Sequence, residues 1–427
     1  MNEGPEGIAA RQMKTRSGKQ RAPGVIVLSQ YFHPEVGATQ TRARELARAF
    51  ARAGYRVTVL CEFPCHPHGV IPAAYKGKLF EWDTLDGYRV LRVRVAASPV
   101  KSARRRLAFY FSYMLMAALC TFKRLGPVDL VLATSPPLPV AAGGWALAFS
   151  RRATFVMDVR DLWPAAAVAL GELKQGWMIR LAERLELFLY RRARLIGAVT
   201  RGFVADISAR GIAPAKLRWV PNGTLPEIFS PDAVDPGLRS RLGLDGQYLI
   251  TFAGLFGIAQ GMDFLLDLAA SYREDEGLRF LFVGDGPLAA RMRERIAAEK
   301  LANVILHPQV PLEQSAAFLN ASDLLLVTLR ADPVFASFVP SKLFDCLACR
   351  PPVLLAVPGE AAAMLAESGG GLAVRPEDLA AFRAAIARLR ADPALAARMG
   401  EAGQRWVLPR FARPRIMDEW VAAIRGD

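Results

Sequence analysis

The feature that most constrains this chain is a recurrence of short, uninterrupted apolar runs, each followed by a stretch of helical periodicity. Val25 to Ser29 (VIVLS) is the clearest, and Tyr55–Cys61, Tyr88–Val95, Leu130–Thr134, Thr154–Val159 and Leu195–Val199 read as further strands, some of them carrying polar residues. Runs of this length without polar alternation suit strands buried on both faces, as in a parallel sheet covered by helices. Between the first two runs, Leu46, Ala47, Phe50 and Ala51 mark the apolar face of a helix that starts near Thr39 and stops at Gly54. Repetition of this strand–helix–strand unit predicts a doubly wound α/β sheet. After a turn at Asn222–Gly223 and a polar, Pro/Gly-rich segment over residues 230–248, the pattern restarts. Leu249–Ala253, Phe280–Val283, Val304–Leu306, Leu324–Thr328 and Val353–Val357 are its strands. The 427 residues are therefore expected to form two such domains, 23–222 and 223–405, with 406–427 a C-terminal helix packing back on the first. Residues 1–22 are polar and basic with no apolar run, and are expected to be a disordered arm instead of a secretory signal.

Charge divides along the same boundary. Residues 1–220 hold 34 Lys+Arg against 15 Asp+Glu, a balance of +19, while the remainder holds 21 against 25, or −4. A basic half suits nucleic acid or an anionic membrane face. Its arginines are interleaved with long apolar runs and no nucleic-acid module is legible, so no nucleic-acid partner is expected. In Arg104 to Phe122 (RRRLAFYFSYMLMAALCTF) the apolar part is 16 residues, short of the about 20 that a spanning helix needs. Arg104, Arg105 and Arg106 ahead of Phe109 and Phe111 fit a helix lying in an anionic leaflet, and equally a buried helix with a basic first turn. A second basic segment, Trp177 to Arg194, suits a solvated helix face or a further membrane contact. Five cysteines without paired spacing point to a reducing compartment. Cys61, Cys65, His66 and His68 crowd into eight residues broken by prolines, unlike the separated ligand pairs of structural zinc sites. A loop is expected there, and no metal.

Chemistry is expected at the carboxyl ends of the strands, where doubly wound sheets bind ligands. Gly37 follows the first strand. Arg160 and Asp161 follow TFVMDV; a carboxylate there can act on a substrate hydroxyl, or simply cap the next helix. In the second half, Gly254, Gly257, Gln260 and Gly261 form a loop that opens a helix and lets backbone approach a phosphate, although its spacing is neither the dinucleotide fingerprint nor a Walker loop. Gly284 and Gly286 close the next strand. In FVPSKLFDCLACRPPVLL, Ser341 is expected to cap a helix whose Leu343, Phe344, Leu347 and Ala348 face a core. Lys342 in its first turn offers charge to a phosphate, and Asp345 can accept from two vicinal hydroxyls such as a ribose presents. The plain alternative is a surface Lys and Asp on an ordinary helix.

Taken together these motifs resemble family 4 glycosyltransferases of the two-Rossmann (GT-B) architecture, in particular the branch that builds capsule, exopolysaccharide and O-antigen on lipid carriers. The resemblance runs from about residue 24 to the end and rests on YFHPEVGATQTRARELARAFARAGYRVTVL, DVRDLWP, VPNG, FAGLFGIAQGMDFLL, FVGDGP and VPSKLFDCLACRPPV, in the family's order. It implies a retaining, metal-independent sugar transfer from a nucleotide-sugar donor, UDP-linked by expectation, with no cofactor. The acceptor would be a lipid-linked saccharide at the cytoplasmic face of the inner membrane. Asp345 would contact the ribose, and Lys342 with Leu343 and the Gly254–Gly261 loop would hold the diphosphate, with Gly37 closing from the first domain. Gly284 and Gly286 would shape the nucleotide pocket, Gln309 and Val310 would read the base, and Asp161 would lie near the reacting sugar. Two departures from the family stand out. Ile258 and Gln260 stand where many relatives carry Arg and Lys, which throws phosphate charge onto Lys342 and an arginine such as Arg160. Ser337, eight positions before Asp345, replaces the first acid of a paired motif. A soluble acceptor, a nucleotide-sugar epimerase and a non-catalytic nucleotide-sugar sensor are the alternatives.

Overall fold

The structure is a computed structural model describing residues 21–427 apart from 67, 100–102, 121–124, 166–167 and 169–175. The arm over residues 1–20 and the last two residues of the 104–122 stretch lie outside the described residues.

Two sheets carry the chain. The first contains β1 (Gly24–Leu28), β2 (Arg56–Glu62), β3 (Phe80–Leu85), β4 (Tyr88–Val93), β5 (Leu130–Ser135), β6 (Thr154–Val159), β7 (Leu195–Ala198) and β8 (Leu217–Trp219), in the order β3-β4-β2-β1-β5-β6-β7-β8. The second contains β9 (Tyr248–Ala253), β10 (Leu278–Val283), β11 (Val304–His307), β12 (Leu324–Thr328), β13 (Val353–Ala356) and β14 (Gly371–Ala373), in the order β11-β10-β9-β12-β13-β14. Every pairing is parallel except β3 with β4. β3 carries no apolar run because it is a partly exposed edge strand, and it is joined to β4 by Asp86-Gly87, both at positive φ as a tight hairpin turn requires. The first sheet is thus mixed at that edge.

Each sheet is dressed on both faces. Leu46, Ala47 and Phe50 on the helix Ala38–Arg52 are fully buried; Ala51, expected beside them, is exposed, and Ala43 and Ala49 complete the apolar face. The helix Ser341–Leu347 does bury Leu343, Phe344 and Leu347 with Ala348, but Pro340 occupies the cap position and Ser341 is already helical, so no side chain caps it. The chain leaves the first domain through residues 220–224 and returns at Phe411–Arg413, where Thr224 and Ala412 form a parallel bridge. A boundary at 406 is therefore corrected: Trp406 is buried within the continuous helix Pro393–Arg410, and the return comes after it. The last helix, Arg413–Arg425, packs Ile416, Met417, Trp420, Val421 and Ile424 into the same core as Leu46 and Phe50, and Asp418 pairs with Arg52 at 2.7 Å.

The helix Ala103–Leu119 has one face buried through Tyr113 and Ala117 and the other, with Phe111, Leu115 and Leu119, exposed by about half. Arg104 and Arg105 are exposed, and Phe109 is half-buried against Tyr31. Among the described residues, no helix is long and apolar enough to cross a membrane.

Candidate active site

Strand order reverses between β1 and β5 in the first sheet and between β9 and β12 in the second. Loops leaving such neighbouring strands diverge and open a crevice. In the second sheet, that crevice is where β9 delivers Gly254 and β12 leads to Lys342. Gly254 has φ +136, a backbone conformation that favours glycine, and a Cβ there would lie 2.8 Å from the Lys342 Nζ. The Lys342 Nζ is buried, has no hydrogen-bond partner among the described residues and sits 3.6 Å from the centroid of the Phe252 ring. Burial pulls its pKa down to about 8, against weaker upward pulls from Cys346 and Asp345. A buried cation with no acceptor is a position waiting for an anion.

The rest of the glycine loop is tied down around it. Arg330 N donates to Ala259 O at 2.9 Å, Thr328 Oγ1 donates to Gln260 O at 2.7 Å, and Gly261 (φ +70) opens the helix Met262–Ala270. The Gln260 Oε1 is buried without a partner, and a Cβ on Gly257 would strike it. Gly284 and Gly286 have a packing role: a Cβ on either would collide with the backbone of Gly254 or Phe256, and Phe256 N donates to Asp285 O at 2.9 Å. The two turns interlock. Val310 is half-buried and Gln309 exposed in the loop after β11. Leu343 turns its side chain into the core and donates its amide to Pro340 O at 3.0 Å.

Asp345 lies at the domain crossing. Its Oδ1 accepts from Thr224 Oγ1 at 2.8 Å and lies 3.9 Å from the Arg413 guanidinium. Burial raises its pKa to about 6, with Arg413, Thr224 and Lys342 pulling the other way.

From the first domain, Asp161 stands just past β6, half-buried, with no hydrogen bond from the described residues; burial pushes it up to about 6 while Arg160 opposes the shift. Arg160 does not reach out. Its guanidinium donates to Thr39 Oγ1 and Pro136 O, stitching the first turn of the helix after β1 to the loop after β5. Gly37, in extended backbone, ends the loop after β1 and stands at the N-cap of the helix Ala38–Arg52. Asp158, three residues earlier and inside β6, is wholly buried and paired in two hydrogen bonds with Arg42, at 2.7 and 2.8 Å. Ser337 packs against Gly202 of the first domain, where Glu360 accepts from Arg201 N and Gly202 N at 2.9 and 2.8 Å. That position serves domain contact here.

The loop after β2 reaches the second domain at His68, whose Nε2 lies 3.6 Å from Asp285 Oδ2. Among the described residues, Glu35, Glu62 and Cys65 bring oxygen and sulfur atoms within 4.8 Å of one another. They are knitted by their own bonds: Glu35 accepts from Cys65 N and His66 N, and Cys65 Sγ donates to Glu62 at 3.2 Å. Neither histidine belongs to that group.

Sequence reasoning missed Arg42, Thr224 and Arg413. Arg42 carried a signal, since it lies one turn before Leu46 on an apolar face and a charge there needs a buried partner. Thr224 and Arg413 carried none, being far apart in sequence and joined only by the crossing.

Residues 37–223 match the model of a glycosyl transferase 4-like domain, and residues 237–406 that of glycosyl transferases group 1. WcaI of Escherichia coli (strain K12), provisionally named a colanic acid biosynthesis glycosyl transferase, is 25% identical over 76% of this chain and 81% of its own. D-inositol 3-phosphate glycosyltransferase of Acidothermus cellulolyticus is 28% identical over 44% of this chain and 43% of its own. Among solved structures, sucrose-phosphate synthase of Thermosynechococcus elongatus superposes with a TM-score of 0.73 at 19% identity, covering 95% of this chain and 98% of its own. Anabaena HepE in complex with UDP-glucose gives 0.70 at 16% identity, over 95% and 100%.

Proposed function

As the chain belongs to glycosyltransferase family 4 and has the GT-B fold, we propose that it moves a sugar from a UDP-linked donor to a lipid-linked saccharide during synthesis of a surface polysaccharide. The observation that carries this reading is the Lys342 ammonium, buried without an acceptor beside Gly254 at the switch point of the second sheet. A diphosphate is the natural anion for it, and HepE, solved with UDP-glucose, lends support for the nucleotide. WcaI supports the polysaccharide context.

In this reading the acceptor hydroxyl attacks the anomeric carbon on the face from which the diphosphate departs, so the configuration is retained. The bond from anomeric carbon to phosphate oxygen breaks with its electrons on the phosphate. The acceptor's proton passes to that oxygen. Lys342 stabilises the charge that grows there, a preorganised electrostatic role that asks for no metal. Asp161, which accepts no hydrogen bond from the described residues, orients the acceptor hydroxyl and steadies positive charge on the ring. Arg160 acts indirectly, by holding the first turn of the helix after β1 to the loop after β5, which together frame Asp161.

The membrane assignment is supported by the outer faces of three helices packed side by side, Ala103–Leu119, Leu138–Arg151 and Gly176–Arg192. Phe111, Leu115, Leu119, Phe149, Trp177 and Leu181 are all exposed there. Arg104, Arg105, Arg180 and Arg184 are exposed on the same helices, which suits an anionic cytoplasmic leaflet.

Thermal shift with uridine, guanosine and adenosine diphosphates, beside an Asp345→Ala variant, tests the donor site. Stabilisation by one of them, lost in the variant, is expected; stabilisation by none would overturn it.

A further inference from the structure

The two chain segments that join the domains meet directly behind the donor-side carboxylate. Thr224, fully buried, receives Arg413 N on its carbonyl at 2.7 Å and donates its own amide to Phe411 O at 2.8 Å. Arg413, 4% exposed, donates Nε to Asn222 O at 2.8 Å and an Nη to Gly223 O at 2.7 Å. From the other side Arg42, 1% exposed, donates to Val220 O at 3.0 Å and Pro221 O at 3.1 Å while holding Asp158. Two buried guanidinium groups thus fix four successive carbonyls of the crossing segment. From this clamp the Thr224 side chain reaches into the second domain, where its Oγ1 donates to Asp345 Oδ1 at 2.8 Å. Asp345 Oδ2 accepts no hydrogen bond from the described residues, and the side chain keeps 17% of its surface open.

We propose that Thr224 is a positioning residue for the donor: by holding Oδ1 of Asp345 it aims Oδ2 at the ribose hydroxyls of a nucleoside diphosphate, and so ties donor recognition to the crossing between the domains. This rests on the donor-site reading above. A carboxylate free to rotate points its second oxygen anywhere on a cone, whereas one anchored by a hydroxyl on a rigid clamp presents it in one direction. Arg413 acts with Thr224, its charge 3.9 Å away favouring the ionised acceptor. Sugar recognition then depends on a residue that touches no ligand.

The test is calorimetric titration with the nucleoside diphosphate that stabilises the wild type, alongside its 2′-deoxy counterpart, for the wild type and for Thr224→Val and Thr224→Ser. The wild type should prefer the ribonucleotide by about tenfold, the scale of a hydrogen bond to a charged group. In Thr224→Val that ratio should fall toward one, and in Thr224→Ser it should return. A purely structural threonine would lower the melting temperature of Thr224→Val and leave the ratio untouched, which would overturn the proposal. Should Thr224→Val not fold, Arg413→Lys gives the same readout, because loosening the clamp should also shrink the ratio; an unchanged ratio there counts against the proposal. Failure of the wild type to bind any diphosphate would instead remove the donor-site reading, and this inference with it.

Discussion

The Lys342 Nζ lies 3.6 Å from the centroid of the Phe252 ring and meets no hydrogen-bond acceptor among the described residues. Phe252 is buried in β9, so the ammonium rests on an aromatic face instead of in water. Cation–π attraction compensates only part of lost hydration. The site holds charge at a cost to stability, as functional sites commonly do. Lys342→Met should therefore melt no lower than the wild type while its turnover falls by about 10²–10³, the scale of removing one preorganised donor. Melting curves and initial rates measured on the same preparation check both halves.

The pH dependence should bracket neutrality. Asp161 and Asp345 are raised to about 6, so both are ionised only above that pH, whereas Lys342 is lowered to about 8 and is charged only below it. The profile of kcat/KM for the donor reports ionisations of the free enzyme. It should rise through pH 6, level, and fall through pH 8. Lys342→Arg should extend the plateau to the alkaline side; an alkaline limb unchanged in that variant would exclude Lys342 as its source.

Asp158 and Asp161 are three residues apart and should behave oppositely. Asp158 is wholly buried against Arg42, which is 2% exposed in its side chain. Asp158→Ala leaves that guanidinium buried without its counter-charge and should cost about 3–5 kcal/mol in denaturant unfolding. Asp161→Asn should unfold like the wild type and lose activity. Full activity in Asp161→Asn would remove its proposed role.

Binding to the membrane should depend on both apolar and basic groups. Phe111→Ser with Leu115→Ser removes two exposed apolar side chains from one helix face. Each is worth about 1.5–3 kcal/mol when buried, so the pair should reduce sedimentation with phosphatidylglycerol vesicles by at least about tenfold. High salt should weaken wild-type binding further. Equal binding by the double variant would indicate that another face docks.

Much of this molecule is determined locally. An uninterrupted run such as VIVLS has one stable outcome, a strand covered on both faces, so the parallel sheets, their alternation with helices and the strand ends where ligands gather all follow from the chain read in order. The glycines at 254 and 261 and the lysine at 342 were visible for the same reason: each acts through its own backbone or charge. β3 was not, because an edge strand needs no apolar alternation, nor was the packing role of Gly284 and Gly286, which exists only once two turns interlock. The partners of Asp345 lie 121 and 68 residues away at Thr224 and Arg413. Arg42 and Asp158 are 116 residues apart. Hydrogen bonds and ion pairs of that kind leave no periodic trace, since they depend on where two segments cross in space. The sequence by itself determined which residues stand at the strand ends; which carboxylate accepts no hydrogen bond from the described residues, which is locked in a buried pair, and which is held at the domain crossing was decided only by the tertiary structure, because those partners are brought together by chain segments that cross in space.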